Sequence, residues 1–253
     1  MKLSAVLITL NEARRLEDCL RSVDFADEII IVDSGSTDAT ADIAALFKAR
    51  FVTRPLDHFA GQKNYALSLA QGEWLLQIDA DERVSPELRG QILQILHAPK
   101  AEEAYRIHRL NHIFGKPLRH GSNGGDYPLR LIRRGYGTFE GLVHEAIKPR
   151  GRTGCLQGPL IHYSTPSLDA YFSKFELYTG LDARQTLTQK GRPSLVHLLA
   201  APPARFLYFG IFRLGFLDGW RGLLFELLSA YYLFIKGVKA RRLARQGASE
   251  KTS

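Results

Sequence analysis

Short apolar runs alternate with longer amphipathic stretches along the first part of the chain. The runs lie at residues 6–10, 28–32, 51–52 and 74–78 and predict buried strands. The stretches between them repeat apolar residues at the spacing of a helix with one buried face. A further helix is predicted to begin at Ser85-Pro86-Glu87, because proline suits the first helical position. Strands and helices in this order predict a parallel α/β sheet with right-handed crossovers.

The region between residues 104 and 165 has a different pattern. Its apolar pieces are short and interrupted by Gly and Pro, and they lie at residues 104–109, 129–133, 142–147 and 160–163. We interpret them as added strands and loops. No internal repeat or low-complexity segment accompanies them.

Three of the predicted strands end in polar clusters, at residues 9–12, 33–36 and 79–81. In parallel α/β sheets, ligands bind at the carboxyl ends of the strands. Three separate strands therefore bring polar groups to one edge of the sheet. This convergence is more specific than any of the clusters alone.

The third cluster contains two carboxylates one residue apart. Because residues i and i+2 of an extended chain point the same way, Asp79 and Asp81 can face one small volume. Their repulsion must be offset, and Mg²⁺ or Mn²⁺ with bound phosphates is the usual solution. The pair thus points to an enzyme that handles a nucleotide diphosphate, with an acidic turn ahead of a helix as the alternative.

Basic residues are concentrated near the C-terminus. The formal net charge is +8, yet residues 1–191 contain 24 Lys and Arg against 23 Asp and Glu, whereas residues 192–253 contain 10 against 3. A nucleic-acid-binding protein would carry a more uniform basic charge, so this distribution argues against nucleic acid as a partner. A tail that meets an anionic membrane surface would have this distribution.

Residues 195–235 are rich in Leu, Phe and Tyr, but Pro202-Pro203 and several charged residues interrupt them. A simple membrane-spanning helix is therefore not expected. Aromatic residues alternate with arginines, as in helices that lie in a membrane interface, and the basic residues at 236–245 would attract anionic lipid. A helical oligomerisation region would show the same aromatic and leucine-rich face, and the two interpretations are compatible.

Taken together, the motifs resemble those of the family 2 glycosyltransferases of GT-A fold. The motifs are Thr9-Leu10-Asn11-Glu12, Val32-Asp33-Ser34-Gly35-Ser36-Thr37-Asp38, Gln62-Lys63-Asn64 and Asp79-Ala80-Asp81. Members of this family typically carry an aromatic residue where this chain has Leu10. Segments 139–145 and 215–219 also resemble the lipopolysaccharide core branch, which adds a β-1,4-linked glucose to an inner-core heptose.

The resemblance implies a fold and a division into domains. The fold would be α/β of the GT-A, Rossmann-like type, with a mixed, mainly parallel sheet flanked by helices and a C-terminal helical membrane-associating region. Residues 1–165 would form the nucleotide-sugar-binding and catalytic domain. Residues 166–253 would form amphipathic helices that lie in the membrane interface, form oligomers, or both.

The resemblance also implies a binding site for a UDP-sugar. Asp33 and Glu12 suit hydrogen bonds to uracil and ribose, since carboxylates accept from base edges and hydroxyls. Thr9 and Asn11 belong to the same substrate-binding group, and Lys63 could neutralise the diphosphate. The alternatives are a turn residue for Asp33, a first-turn helix residue favoured by the helix dipole for Glu12, and a solvated lysine for Lys63.

A metal site follows from the same resemblance. Asp81 is the expected ligand of Mg²⁺ or Mn²⁺, with Asp79 on the ribose or sharing the metal. His162 is the expected second protein ligand, because many GT-A enzymes complete the metal shell with a late histidine. A core or surface histidine is the alternative. Arg130 is expected to point into the site towards a phosphate, whereas Arg133 is expected on a solvated strand face.

Glu145 is the expected general base. The family inverts the anomeric carbon by direct displacement, which needs one carboxylate to take the acceptor proton and no second carboxylate as acid. Glu145 follows His144, as in the Val-His-Glu element of the core branch. Glu140 is the alternative base.

The predicted function is that of an inverting glycosyltransferase which moves a hexose, with glucose favoured, from a UDP-sugar to a lipopolysaccharide inner-core or other lipid-linked saccharide. Its predicted location is peripheral, on the cytoplasmic face of the bacterial inner membrane, and its two distant cysteines favour a reducing compartment. One alternative is a non-catalytic nucleotide-sugar-binding scaffold on the membrane, against which the candidate catalytic carboxylates count. Another is a metal-dependent nucleotidyltransferase, which usually carries a Gly-rich loop that residues 10–20 lack.

Overall fold

The structure is a computed structural model of the 253-residue chain. It describes residues 1–98, 102–141 and 146–249. The chain forms two compact units. The first comprises Met1–Leu110 and Asp126–Tyr163, and the second comprises Asn111–Gly125 and Ser164–Ser253. Residues 111–125 therefore group with the C-terminal helices, whereas the sequence interpretation included them in the domain 1–165. The predicted boundary between residues 165 and 166 stays a prediction.

Strands dominate the first unit and helices dominate the second. The strands are β1 (Leu3–Thr9), β2 (Glu28–Asp33), β3 (Arg50–Thr53), β4 (Trp74–Gln77), β5 (Glu82–Val84), β6 (Ala104–Ile113), β7 (Lys116–Pro117), β8 (Leu129–Arg133), β9 (Gly137–Glu140), β10 (Ala146–Pro149) and β11 (Thr153–Thr165). The helices are α1 (Ala13–Ser22), α2 (Thr40–Leu46), α3 (Phe59–Leu69), α4 (Pro86–His97), α5 (Leu168–Lys190), α6 (Leu195–Phe206) and α7 (Gly219–Ser249).

The main sheet is mixed, in the order β3-β2-β1-β4-β8-β6-β11-β5. The first four of these strands are parallel, and Thr9 of β1 lies opposite Asp33 of β2. Strand β8 is antiparallel to β4, β5 is antiparallel to β11, and β9 and β10 form a separate antiparallel hairpin. The carboxyl ends of the parallel strands thus share one edge, where the three polar clusters begin.

The core lies on both faces of this sheet. Leu7 of β1 packs into a cluster with Leu16 and Leu20 of α1, whereas its neighbour Val6 packs into a second cluster with Ala66 of α3. Adjacent residues of a strand point to opposite faces, so one buried strand supports both layers of helices. Burying a Leu or Val side chain completely stabilises the fold by roughly 1.5–3 kcal/mol.

The observed elements follow the predicted ones with local differences. Helix α4 begins at Pro86 as predicted, and the Ser85 hydroxyl caps it by accepting the Leu88 N–H at 3.1 Å. Helix α3 (Phe59–Leu69) lies, as predicted, in the stretch between the strand runs at residues 51–52 and 74–78. Strand β5 was not predicted, since it is only three residues long and follows the acidic turn directly. Of the predicted piece 142–147, residues 142–145 lie outside the described part of the chain.

In the second unit, two carboxylates of the C-terminal helical region hold the loop formed by residues 111–125. Asp218 accepts the backbone N–H groups of Arg119 and His120 at 2.9 and 2.8 Å. Glu226 accepts from the N–H and the hydroxyl of Ser122 at 2.8 and 2.7 Å. Both carboxylates therefore have structural partners within this unit.

The Pro202-Pro203 pair does not end helix α6, contrary to the sequence interpretation. The chain continues from α6 into a π-helical turn at Leu207–Phe212, and the Leu207 N–H is shared between the carbonyls of Pro203 and Ala204. Proline removes one backbone donor, but the turns on either side can stay helical when their own bonds close. Leu195–Phe212 is therefore, in length and composition, a helix that could cross a membrane.

Candidate active site

The turn after β2 is organised by Asp33. Its Oδ1 accepts from the hydroxyls of Thr9 and Ser36 at 2.7 and 2.6 Å, and its Oδ2 accepts from the N–H groups of Gly35 and Ser36 at 2.9 and 2.7 Å. Burial raises the pKa of Asp33, but these hydrogen bonds outweigh it and hold the pKa below its ordinary value. Asp33 therefore acts as a turn residue, which was the alternative to a substrate contact, and Thr9 is one of its hydrogen-bond partners.

Asn11 and Glu12 join this turn to the end of β1. Asn11 is in the left-handed region with φ +55°, which asparagine tolerates. Its N–H donates to the Ser36 hydroxyl at 2.7 Å, and its side-chain oxygen accepts the Thr37 N–H at 2.8 Å. The N–H of Glu12 donates to the Thr40 hydroxyl at 2.9 Å, and Glu12 stands at the start of α1. The predicted substrate-binding residues at the ends of β1 and β2 thus form one hydrogen-bonded group.

A residue with no predicted role, Gln62, ties this group to α3. Its side-chain amide, which is completely buried, donates to the Ser34 hydroxyl at 3.2 Å and to the Arg54 carbonyl at 2.9 Å. Its oxygen accepts from the Arg54 guanidinium at 2.5 Å. The sequence feature that could have indicated this role is the position of Gln62 next to Lys63 in the motif Gln62-Lys63-Asn64.

Asp79, at the end of β4, is held by two cations of the protein. Arg130 Nη2 donates to Asp79 Oδ2 at 2.8 Å, and Lys63 Nζ lies 3.4 Å from Oδ1. Burial raises the pKa of Asp79, but the charges of Lys63 and Arg130 and a hydrogen bond from Gln77 lower it far below its ordinary value. Lys63 and Arg130 therefore offset the charge that the sequence analysis assigned to a divalent cation.

Glu82 completes this network, although it had no predicted role. Its side chain is completely buried, its Oε1 accepts from Arg130 Nη2 at 2.6 Å, and its Oε2 accepts the Asp79 N–H at 3.0 Å. Arg109 lies 3.6 Å from the same carboxylate and also pairs with Asp126. Burial alone would lower the pKa of Arg130, but Glu82 and Asp79 raise it above its ordinary value. The sequence feature that could have indicated this role is that Glu82 is a third acidic residue within three positions of Asp79.

Asp81 has a different environment from Asp79. Its Oδ1 lies 3.6 Å from His162 Nε2, and its Oδ2 lies 3.4 Å from Arg15 Nη1. Strand pairing fixes the histidine, because β11 places His162 opposite Glu82 of β5. Burial raises the pKa of Asp81, yet the contacts with His162 and Arg15 lower it below its ordinary value. The structure thus brings together the two predicted metal ligands.

The predicted metal site would have two protein donors, Asp81 and His162, in the described part of the chain. No group of three or more His, Cys, Asp and Glu side chains that could hold a metal occurs among the described residues. One carboxylate and one imidazole suit an ion whose remaining ligands come from phosphates and water, which is how Mg²⁺ and Mn²⁺ commonly bind. The donor set therefore fits a metal held jointly with a phosphate-containing substrate.

A cavity of about 410 Å³ opens beside Asp79. Its charged lining comprises Lys63, Asp79, Arg106, Arg109 and Arg130, and the apolar lining comprises Pro128, Leu129, Phe139, Ala146 and Ile147. The Nε of Arg130, one of the lining residues, is itself buried and has no hydrogen-bond partner among the described residues. A cavity with convergent polar groups on an otherwise apolar wall is typical of a small-molecule site.

Of the two candidate bases, Glu140 lies on β9. Glu140 lies opposite Ala146, is half-exposed and forms an ion pair with Lys148. Glu145, the predicted catalytic residue, lies outside the described residues, as does His144. Ala146, the residue that follows Glu145 in the sequence, lines the cavity. Asn64 fixes β9 through two hydrogen bonds with the Phe139 backbone, at 2.8 and 2.9 Å.

Arg133, unlike Arg130, faces away from this site. It pairs with Glu73 at 2.6 Å, and both side chains are about half-exposed. Successive residues of a strand point to opposite sides. Arg130 and Arg133 are three residues apart on β8, so one points into the site and the other lies at the surface. The predicted solvated face is confirmed for Arg133.

Comparison with known proteins identifies the family. Residues 4–155 match the family described as Glycosyl transferase family 2. The lipopolysaccharide core biosynthesis glycosyltransferase LpsC of Rhizobium meliloti (strain 1021) is 35% identical over 257 residues, covering 95% of each chain.

Two solved structures share the fold at low identity. The mannosyltransferase PcManGT from Pyrobaculum calidifontis, in complex with GDP-Man and Mn²⁺, is 16% identical with a TM-score of 0.57 and covers 94% of this chain and 86% of its own. Glucosyl-3-phosphoglycerate synthase from Mycobacterium tuberculosis, in complex with Mn²⁺, UDP and glucosyl-3-phosphoglycerate, is 18% identical with a TM-score of 0.50, covering 77% and 81%. The predicted GT-A-like α/β fold with helices at its C-terminus is confirmed, and the chain belongs to glycosyl transferase family 2.

Proposed function

We propose that this glycosyltransferase moves a hexose from a UDP-sugar to a saccharide of the lipopolysaccharide core, with inversion at the anomeric carbon. The observation that carries the proposal is the division of labour between Asp79 and Asp81. Lys63 and Arg130 both hold Asp79, the latter by a hydrogen bond, whereas Asp81 faces His162 at 3.6 Å and has one cation, Arg15, at 3.4 Å. This arrangement can hold a nucleotide diphosphate through a metal.

The nucleoside would bind at the ends of β1 and β2. Thr9, Asn11, Glu12 and Asp33 are the proposed contacts for uracil and ribose. Asp33 already accepts four hydrogen bonds, which fill its acceptor capacity, so a ligand hydroxyl or N–H must replace one of them.

The diphosphate would bind next to Asp81. Asp81 and His162 are the proposed protein ligands of Mg²⁺ or Mn²⁺, and Asp79 is the less suitable ligand because two cations already hold it. The metal, when bound, stabilises the negative charge of the departing UDP. Lys63 and the two other cavity-lining arginines, Arg106 and Arg109, would offer further donors to phosphate or sugar oxygens.

The proton transfer requires a carboxylate near the cavity. In the proposed step, the acceptor hydroxyl oxygen attacks the anomeric carbon, the bond from that carbon to the diphosphate oxygen breaks, and a glutamate takes the hydroxyl proton. Glu145 is the proposed base, since it precedes the cavity-lining Ala146. Glu140 is less suitable, because it is half-exposed and bound to Lys148.

The proposed class of acceptor comes from LpsC, the similar protein whose biosynthetic process is known. LpsC is described as a lipopolysaccharide core biosynthesis glycosyltransferase, and its sequence aligns with 95% of this chain. We therefore propose an inner-core or other lipid-linked saccharide as acceptor and glucose as the transferred hexose. The choice of glucose rests on the resemblance of segments 139–145 and 215–219 to the core branch.

The test is UDP release by the purified chain with Mn²⁺ or Mg²⁺, UDP-glucose and truncated lipopolysaccharide. A preceding thermal-shift panel of UDP-sugars, each with and without Mn²⁺, identifies the donor. A folded protein that neither binds nor consumes any UDP-sugar would overturn the proposal. Turnover with a different UDP-hexose would correct the sugar and leave the mechanism intact.

The base assignment has its own test. We expect Glu145→Gln to keep UDP-sugar affinity and to lower kcat by about 100- to 10,000-fold, the usual contribution of general-base catalysis. Glu140→Gln is the matched control, being the same substitution five residues earlier in the sequence, and should keep kcat within a few-fold. The reverse pattern would assign the base to Glu140.

A further inference from the structure

The second unit exposes an unusual number of large apolar side chains. Between residues 195 and 220 they form what we call the apolar surface, which includes Leu195, Val196, Leu199, Ile211 and Phe212. Val196 and Phe212 are each 77% exposed. Monomeric soluble proteins rarely expose large contiguous apolar patches, so an exposed run of this kind indicates an interaction site.

These side chains are not the solvent side of an ordinary core helix. Helix α6 packs on α7 through its other face, where a Cβ at Gly237 would lie only 2.7 Å from a methyl carbon of Leu198. Even so, only 11% of Leu195–Phe212 is buried. The residues that could drive burial therefore point outward, and α7 does not cover them.

The charged residues of the segment that carries the apolar surface all have one sign. Residues 191–217 contain Arg192, Arg205 and Arg213 and no Asp or Glu. The next two acidic residues, Asp218 and Glu226, are buried in hydrogen bonds to the loop 111–125. The segment thus presents apolar groups and cations to the solvent, while the neighbouring carboxylates are turned into the second unit.

The chemistry fits an anionic lipid surface better than a second copy of the chain. Two copies that met through this face would bring its arginines together without carboxylates from this segment to pair with them. A bilayer interface accepts apolar side chains, attracts cations to anionic headgroups and suits the amphipathic rings of Tyr208 and Trp220, both exposed here.

We propose that the apolar surface docks this protein on an anionic lipid bilayer, with α6 lying in the interface. An interfacial position also suits Arg205, which would otherwise lie within the hydrocarbon if Leu195–Phe212 crossed the membrane. The cytoplasmic face of the bacterial inner membrane, the location predicted from sequence, would be this surface. The proposal is independent of the transfer reaction.

The experiment is co-sedimentation of the purified chain with vesicles of phosphatidylglycerol and phosphatidylethanolamine, compared with vesicles of phosphatidylcholine. We expect at least about tenfold stronger binding to the anionic vesicles. The double substitution Val196→Glu and Phe212→Glu should lower that binding by at least about tenfold, because it places two carboxylates in the apolar surface. Both positions are highly exposed, so the fold should survive, and circular dichroism checks this.

Leu46→Glu is the matched control, since Leu46 is also 77% exposed but belongs to α2 of the first unit. It should leave vesicle binding unchanged. Equal binding to neutral and anionic vesicles, or equal loss in the control, would overturn the proposal. So would a dimer by light scattering that the double substitution dissociates, or resistance to alkaline carbonate extraction, which indicates a spanning helix. UDP release with a soluble acceptor is measured separately, so that failure of docking and failure of the transferase proposal can be told apart.

Discussion

The turns after β2 and β4 each begin with an aspartate, buried in the case of Asp33 and partly exposed in the case of Asp79, and the protein stabilises the two carboxylates in different ways. Asp33 accepts from hydroxyls and backbone N–H groups, all of them neutral. Asp79 is held by the cations Lys63 and Arg130, and Glu82 forms a second ion pair with Arg130. Neutral donors fix a carboxylate and leave its charge in place, whereas cations cancel the charge.

The difference separates a rigid turn from an ionic network. In the β2 turn, one residue organises the backbone around itself. In the β4 turn, Asp79 is neutralised and Asp81, two residues on, faces His162. Sequence spacing made the two carboxylates of the β4 turn look equivalent, and their partners make them different. The comparison can be tested one side chain at a time.

The largest expected effect is that of Asp81→Asn. It removes the proposed metal-binding charge, so we expect kcat/KM to fall by about 1000-fold, equivalent to ~4 kcal/mol, and activity to lose its response to Mn²⁺. The measurement is UDP release over a Mn²⁺ titration. Asp33→Asn serves as the comparison, since it should retain the response to Mn²⁺. An unchanged Mn²⁺ titration in Asp81→Asn would move the metal to another residue.

A smaller loss is expected from Glu82→Gln, and it should appear first in stability. The substitution takes away one of the two carboxylates that neutralise the buried Arg130, which should cost about 3 kcal/mol in the free energy of unfolding. Urea denaturation measures it. Arg130→Met in the same background should recover part of the loss, because the unpaired charge is gone. No loss in Glu82→Gln would mean that Asp79 alone suffices for Arg130.

For Asp33→Asn we expect a loss of about 1–3 kcal/mol, since buried donors of the turn lose an acceptor. The pH dependence has a definite sign. The pKa of Asp33 is lowered from its ordinary value of 3.8, so its stabilising contribution is present above about that pH and is lost as the pH falls through the folded value. The difference in stability between the native chain and Asp33→Asn should therefore shrink below pH 4, as followed by thermal unfolding from pH 7 to pH 2. A difference that grows on acidification would contradict the assignment.

The smallest effect belongs to Arg133→Ala. Its pairing with Glu73 is between half-exposed side chains, so the loss should be about 0–1 kcal/mol, with kcat/KM unchanged. This substitution is the control for Arg130, three residues earlier on the same strand. A large loss of activity in Arg133→Ala would show that the alternation along β8 does not divide site from surface.

Sequence reasoning reached further for the first unit than for the second. Apolar periodicity located β1, β2 and β4 to within a few residues and brought Asp33, Asp79 and Asp81 to one edge, because strand ends follow from local pattern. It missed β5 and the role of Glu82, since a three-residue strand has too little pattern and its partner β11 lies far along the chain. In the second unit it treated Pro202-Pro203 as an interruption, whereas the helical path continues through them.

The parallel βα order, the polar strand ends, the basic C-terminus and the resemblance to family 2 glycosyltransferases could all be predicted from the amino-acid sequence. These features depend on residue type and short spacing, both of which are read from the sequence. The pairing of each cation with its carboxylate, the approach of Asp81 to His162, the contact of Glu82 with Arg130 and the exposure of the apolar side chains of α6 became visible only in the folded chain. Those outcomes depend on side chains that lie up to about eighty residues apart in sequence and meet only when strands pair.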